Sequence, residues 1–189
     1  MQIKVRGRRS HEPTELPPPG VRKGTRLRQG QGKTSKVLPV YVAAGVLAEM
    51  VERGREGGDY EVGGFLLCGL HSFRGSLYVD LTTQVPAFKA RSKRTSLEFD
   101  NRAQREFHET VDQRFPGKAV LGWYHTHPGY GVFLSGHDLF VHESFYSAPH
   151  HVAVVVDPKA SPRERVGVFV WEEGKVSTAY SLTAYDEAD

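Results

Sequence analysis

The sequence is short of most features that would classify it quickly. It has one cysteine, Cys68, in 189 residues. No intramolecular disulfide can form, and cysteine-rich structural zinc motifs are excluded. No apolar run approaches the roughly 18 residues of a membrane span. The basic N-terminus lacks the apolar stretch that a secretory signal needs after it. These absences predict a soluble, cytoplasmic protein with no membrane partner. The first 36 residues contain no aromatic side chain, which removes a base-stacking platform for nucleic acid.

What charge there is lies unevenly. The net charge is +3, yet residues 1–36 hold ten Lys/Arg against two Glu, and the rest holds fifteen against twenty Asp/Glu. The basic character therefore belongs to the N-terminal stretch. That stretch, RGRRSHEPTELPPPGVRKGTRLRQGQGKTSK, is rich in Pro and Gly and poor in large apolar residues. Such a composition cannot bury enough surface to offset its ordering entropy. Residues 1–36 are expected to form a flexible basic tail, with any contact to nucleic acid or an acidic partner confined to it. Residues 37–189 are expected to form one folded domain, and an apolar content of 39% supplies an ordinary core.

Within that domain VYVAAGVLAEMVERGRE places Val42, Val46, Leu47 and Met50 at helical spacing, and Gly57-Gly58 ends the pattern. EVGGFLLCGL reads as a buried strand and SLYVDLTTQV, which alternates, as the next. AFKARSKRTS is a basic loop, and NRAQREFHETVDQRF a second amphipathic helix stopped by Pro116-Gly117. KAVLGWYHTH is a strand, SGHDLFVHESFYS a third helix, HHVAVVVDP a buried strand, and VGVFVWEEGKVSTAYSL a hairpin-like pair. The order predicts an α/β sandwich, a central mixed sheet flanked by helices.

One segment stands apart. GWYHTHPGYGVFLSGHD, residues 122–138, packs three histidines, a serine and an aspartate between turn formers. On a strand, His125 and His127 project to one face, a spacing that suits a small cation but also arises by chance. Ser135 and Asp138 fit a helix-capping pattern, which can be their whole purpose. The cap also fixes Asp138 in the first helical turn, and the loop PGYGVFL can fold that turn back to the strand end. Two imidazoles and one carboxylate, with a fourth position open, make the ligand count of a catalytic zinc site. Hydrolysis needs a base as well, and no H-E-x-x-H supplies one. Glu61, opening an apolar strand, is the candidate; the alternative is an exposed strand-end carboxylate. His142, one turn beyond Asp138, is a possible orienter or substitute ligand, His137 should face solvent, Cys68 belongs to the core, and Trp123 should pack beneath the His125 strand.

In order, Glu61, His125-Thr126-His127, seven residues, Ser135, two residues and Asp138 resemble the JAMM signature of the MPN+ metalloproteases. EVGGFLLCG, LGWYHTHPGYGVFLSGHD and VAVVVDP are similar to the words of its deubiquitinating proteasome-lid and deneddylating signalosome branches. The resemblance covers roughly residues 37–180. It implies an MPN, cytidine-deaminase-like fold and one catalytic zinc ion held by His125, His127 and Asp138. It also implies that Glu61 shuttles the proton and that Ser135 hydrogen-bonds the carbonyl oxygen as charge develops there. The implied substrate is an isopeptide or peptide bond after the Gly-Gly end of ubiquitin or a ubiquitin-like protein, on conjugated targets or precursors. A Gly-Gly tail is thin and can enter a narrow groove by strand addition; loop 128–134 with Phe133 and the segment near Arg91 to Phe99 are the expected walls. The absence of Cys after Asp138 argues against a second zinc. Length and motif together suggest a stand-alone prokaryotic enzyme of a ubiquitin-like conjugation pathway, including antiphage defence. Two rivals stand: processing of a sulfur-carrier C-terminus, and an MPN scaffold with a basic contact arm.

Overall fold

In a computed structural model of the chain, residues 12–28, 33–87, 91–92, 97–98, 109–111, 113–115 and 118–187 are described. Among them a nine-stranded mixed sheet dominates. The chain first forms β1 (Thr14–Glu15), β2 (Thr25–Leu27) and β3 (Val40–Ala43), and the centre of the sheet is the antiparallel pair β4 (Gly63–Phe73) and β5 (Ser76–Pro86). A tight turn through Arg74 and Gly75, both at positive φ, joins the pair. On its other side β4 pairs antiparallel with β8 (Ala119–Thr126), which runs parallel to β9 (Val152–Val156); β10 (Val166–Phe169) closes that edge. Beyond β5 come β3, β13 (Thr183–Glu187) and β2. Two short hairpins complete the strands: β6 (Arg91–Ser92) with β7 (Leu97–Glu98), and β11 (Trp171–Glu172) with β12 (Lys175–Val176).

β4 is buried on both faces, with Leu66, Cys68 and Leu70 in one core and Phe65 and Leu67 in the other. Helix α1 (Ala44–Glu56) packs Val46, Met50 and Val51 on one face, over Leu66, Leu81, Leu121 and Tyr124. On the other face Phe65, Leu67, Trp123, Val155 and Phe169 gather with side chains of α2 (Gly136–Phe145) and of the loop before it. β9 is buried throughout, which is why VAVVV reads as a continuous apolar run. Gly54 lets α1 press on the sheet's end: a Cβ there would meet Thr126 Cγ2 at 3.0 Å and Pro158 Cβ at 3.1 Å.

Two expectations need correction, and one strand was not anticipated. Val40–Ala43 is a strand, parallel to β5 and β13, and the helix starts only at Ala44. Val42 is thus a buried strand residue whose spacing to Val46 mimicked a helical face. The unanticipated strand is TAYDE, in the main sheet. The second correction is that part of the segment expected to be a flexible tail lies on the sheet. β1 pairs with the end of β4 and β2 with β13. Arg22 donates from both terminal nitrogens to Asp80 Oδ2 at 3.2 Å, and its guanidinium lies over the Tyr185 ring. Asp80 is buried, and Tyr185 donates to its other oxygen at 2.8 Å. Composition missed this because backbone pairing and two ion pairs, Arg22–Asp80 and Arg28–Asp186, hold the segment, not apolar side chains. The second amphipathic helix falls largely outside the described residues; 109–111 and 113–114 are helical.

Candidate metal centre

The strand β8 delivers His125 near its end and His127 just beyond it. α2 delivers Asp138 from its first turn. Ligand atoms of these three buried residues lie within 4.8 Å of one another. His125 Nε2 is 2.9 Å from His127 Nε2 and 3.4 Å from Asp138 Oδ2, and His127 Nε2 is 3.7 Å from the same oxygen. Zinc with ligands at about 2.0–2.1 Å in tetrahedral array needs its donors about 3.3 Å apart. The three observed separations bracket that value, so the donor set fits a single zinc ion.

Local bonds hold each donor. Ser135 caps α2: its Oγ accepts from the Asp138 N–H at 3.3 Å, and its own N–H donates to Asp138 Oδ2 at 2.7 Å. The capping box thereby aims the very oxygen that faces both imidazoles. His127 Nδ1 lies 3.1 Å from Gly131 O, which only accepts, so Nδ1 carries a proton and Nε2 presents a lone pair in the neutral ring. Trp123 stacks on His125 at 4.7 Å and an interplanar angle of 12°. His142 does not join the trio. Fully buried, it accepts from Trp123 Nε1 through Nδ1 at 3.2 Å and so supports the ring beneath His125.

Glu61 precedes β4, whose Gly63 pairs with His125. Its Oε1 is 4.0 Å from His127 Nε2, and the residue is only 3% exposed. Burial pushes its carboxyl up to about 7, with the His127 charge opposing and the Asp138 charge adding. A carboxyl poised near neutrality can both take and return a proton. Burial also acts on Asp138, but bonds from His125, His127 and Ser135 outweigh it and hold that carboxyl well below the usual range. Burial lowers His125; His127 is raised, because Asp138 and Glu61 outweigh its burial. Around the mouth stand Tyr130 and Phe133, both half exposed, with Phe133 4.7 Å from the His127 ring.

A family model described as "JAB1/Mov34/MPN/PAD-1 ubiquitin protease" matches residues 35–149. The chain belongs to this family. Two of its relatives are "26S proteasome regulatory subunit rpn11" of Schizosaccharomyces pombe and "Ubiquitin carboxyl-terminal hydrolase RPN11" of Saccharomyces cerevisiae. The first is 33% identical over 152 residues, 78% of this chain and 47% of the relative. The second is 33% identical over 140 residues, 71% of this chain and 44% of the relative. The chain thus spans less than half of either. A solved structure, protein DSY2949 from Desulfitobacterium hafniense, matches with a TM-score of 0.60 and 17% identity over 79% of this chain and 95% of that one. The mixed sheet flanked by helices is consistent with the MPN fold.

Sequence reasoning missed two residues of this MPN site. Thr126 accepts from the Val62 N–H through Oγ1 at 2.9 Å, and its N–H donates to Val62 O at 2.8 Å. Asp157 binds the loop that leads from His127 towards Ser135. The only signal for either was position: Thr126 between the histidines, Asp157 at the end of a strand. No helix among the described residues is long and apolar enough to cross a membrane. The β6–β7 hairpin lies in the segment expected to form a groove wall, and residues 93–96 and 99 of that segment are outside the described residues.

Proposed function

We propose that the protein is a zinc-dependent isopeptidase or peptidase that cleaves after the C-terminal Gly-Gly of ubiquitin or a ubiquitin-like protein. One observation carries the reading: two imidazole nitrogens and a carboxylate oxygen converge within 4.8 Å, and a fourth side chain, Glu61, stands 4.0 Å from one of them. When bound, zinc supplies a Lewis acid that polarises a carbonyl and makes water a nucleophile near neutral pH. His125, His127 and Asp138 would hold it. Glu61 accepts a proton from the attacking water and returns it to the leaving nitrogen. Ser135 Oγ uses a lone pair for its cap, so its hydroxyl proton is free to donate to the carbonyl oxygen as negative charge grows there.

Family membership supports the choice of substrate, and so does the shape of the chemistry. A Gly-Gly tail exposes backbone on both edges and can add to a short strand such as β6 or β7. Half-exposed Tyr130 and Phe133 offer apolar walls beside the trio. The test is incubation with ubiquitin and ubiquitin-like proteins fused through Gly-Gly to a reporter, with and without a chelator. Release after Gly-Gly that stops with chelator and returns with zinc is the expected result. Release from a sulfur-carrier protein alone would move the substrate to that class, and no release from any fusion would leave a scaffold.

A further inference from the structure

Asp157 follows the last residue of β9 and is 3% exposed. Its carboxylate accepts three backbone N–H bonds, each 2.9 Å: Gly129 and Lys159 to Oδ1, and Gly131 to Oδ2. Gly129 and Gly131 both sit at φ +88°, the left-handed region that a side chain resists and that turns their N–H groups to one centre. A buried carboxylate is costly unless strongly compensated. Compensation here comes from amide dipoles, since the Lys159 ammonium pairs instead with Asp59 at 2.6 Å. Bonds to an ionised acceptor are stronger than neutral ones, so the loop is clamped harder than an ordinary turn needs.

What the clamp holds is Gly131, whose carbonyl accepts from His127 Nδ1 at 3.1 Å. The backbone of His127 is fixed from the same strand end, its N–H donating to Val156 O at 2.8 Å. Val156 and Asp157 are neighbours in the chain. One strand terminus therefore fixes both the main chain of His127 and, through the loop, the direction of its ring.

We propose that Asp157 is a positioning residue for the metal centre: by clamping the Gly129–Gly131 turn it fixes the carbonyl that sets the tautomer and orientation of His127. The inference rests on reading His127 as a zinc ligand. Partners bonded directly to a ligand usually change metal affinity about 10- to 100-fold when lost, and Asp157 stands one bond further out, so a loss of about 10-fold, the lower end, is expected.

The experiment measures zinc affinity by chelator competition for the full chain and for Asp157→Asn, with Asp80→Asn as a control. Asp80 is an equally buried carboxylate, but it pairs with Gly69 of β4, six residues along from the Gly63 that pairs with His125. Asparagine at 157 turns one donor towards backbone donors while keeping the size. Zinc binding about 10-fold weaker in Asp157→Asn, and near the parent value in Asp80→Asn, is the expected result. Equal affinity in parent and Asp157→Asn overturns the proposal, as does an equal loss in both variants. A parent that binds no zinc overturns the reading of the trio instead. Hydrogen exchange on the parent gives a measure that needs no variant: the Gly129 and Gly131 amides should be as protected as those of β9, and fast exchange at both sinks the clamp.

Discussion

Thr126 and Val62 hydrogen-bond each other twice, once through the threonine hydroxyl and once through its backbone N–H. This places the residue between the two histidines in direct control of the segment that carries Glu61. Glu61 precedes β4 and the two histidines lie at the end of β8, and this double bond is where the two segments are registered. Thr126→Val keeps the shape and removes the hydroxyl acceptor. It should lower kcat by ~10²-fold, the scale of a small misplacement at a reacting centre, with zinc content unchanged. Thr126→Ser should restore most of the rate. Steady-state kinetics with metal analysis on both variants checks this; loss of zinc in Thr126→Val would give the bond a different purpose.

Glu61→Gln separates base from ligand. Its nearest oxygen is 4.0 Å from His127 Nε2, outside the trio. Zinc should stay bound while turnover drops by ~10²–10⁴-fold. Turnover near the parent rate removes Glu61 as the base, and zinc lost together with turnover makes it a ligand.

Ser135→Ala touches two tasks that can be read separately. Losing the cap should cost ~1 kcal/mol in chemical denaturation. Losing the hydroxyl donor should lower kcat by ~10²–10³-fold. A stability loss with a nearly normal rate would leave Ser135 a helix cap alone.

Asp157 makes a prediction in pH. Burial raises its carboxyl, but the N–H groups of Gly129, Lys159 and Gly131 outweigh that and lower it from 3.8. A carboxyl with a lowered folded pKa stabilises fully above its unfolded pKa, and that stability is lost as pH falls through the folded value. In metal-free protein, the gap in urea midpoint between the parent and Asp157→Asn should be widest near neutrality. It should close as pH drops below 3.8. A gap independent of pH would show that the carboxylate's charge contributes nothing.

Much of the architecture was legible because long elements repeat one period. SLYVDLTTQV alternates and became β5; VAVVV is continuously apolar and became a strand buried on both faces. The Val40–Ala43 strand was misread because four residues are too few to fix a period, and Val42 falls by accident on the helical spacing of Val46. The trio and Glu61 were visible as residue types at characteristic separations, and the folded chain brings them within reach of one another. Thr126 and Asp157 were not, because each acts through backbone groups that every residue carries. Only folding shows which N–H a hydroxyl or carboxylate will meet.

The Arg22–Asp80 pair bears on how this protein can be shortened. A cut where the basic stretch ends would remove β1 and β2 and leave Asp80 an anion in the interior without its guanidinium. Stranding one member of a buried pair costs about 3–5 kcal/mol, a large share of the total for a domain of this size. The same cut would bare the outer hydrogen-bonding row of β13, an invitation to self-association. Residues that look disposable by composition thus belong to the cooperative unit, and a trimmed version should be tested for solubility before its activity is judged.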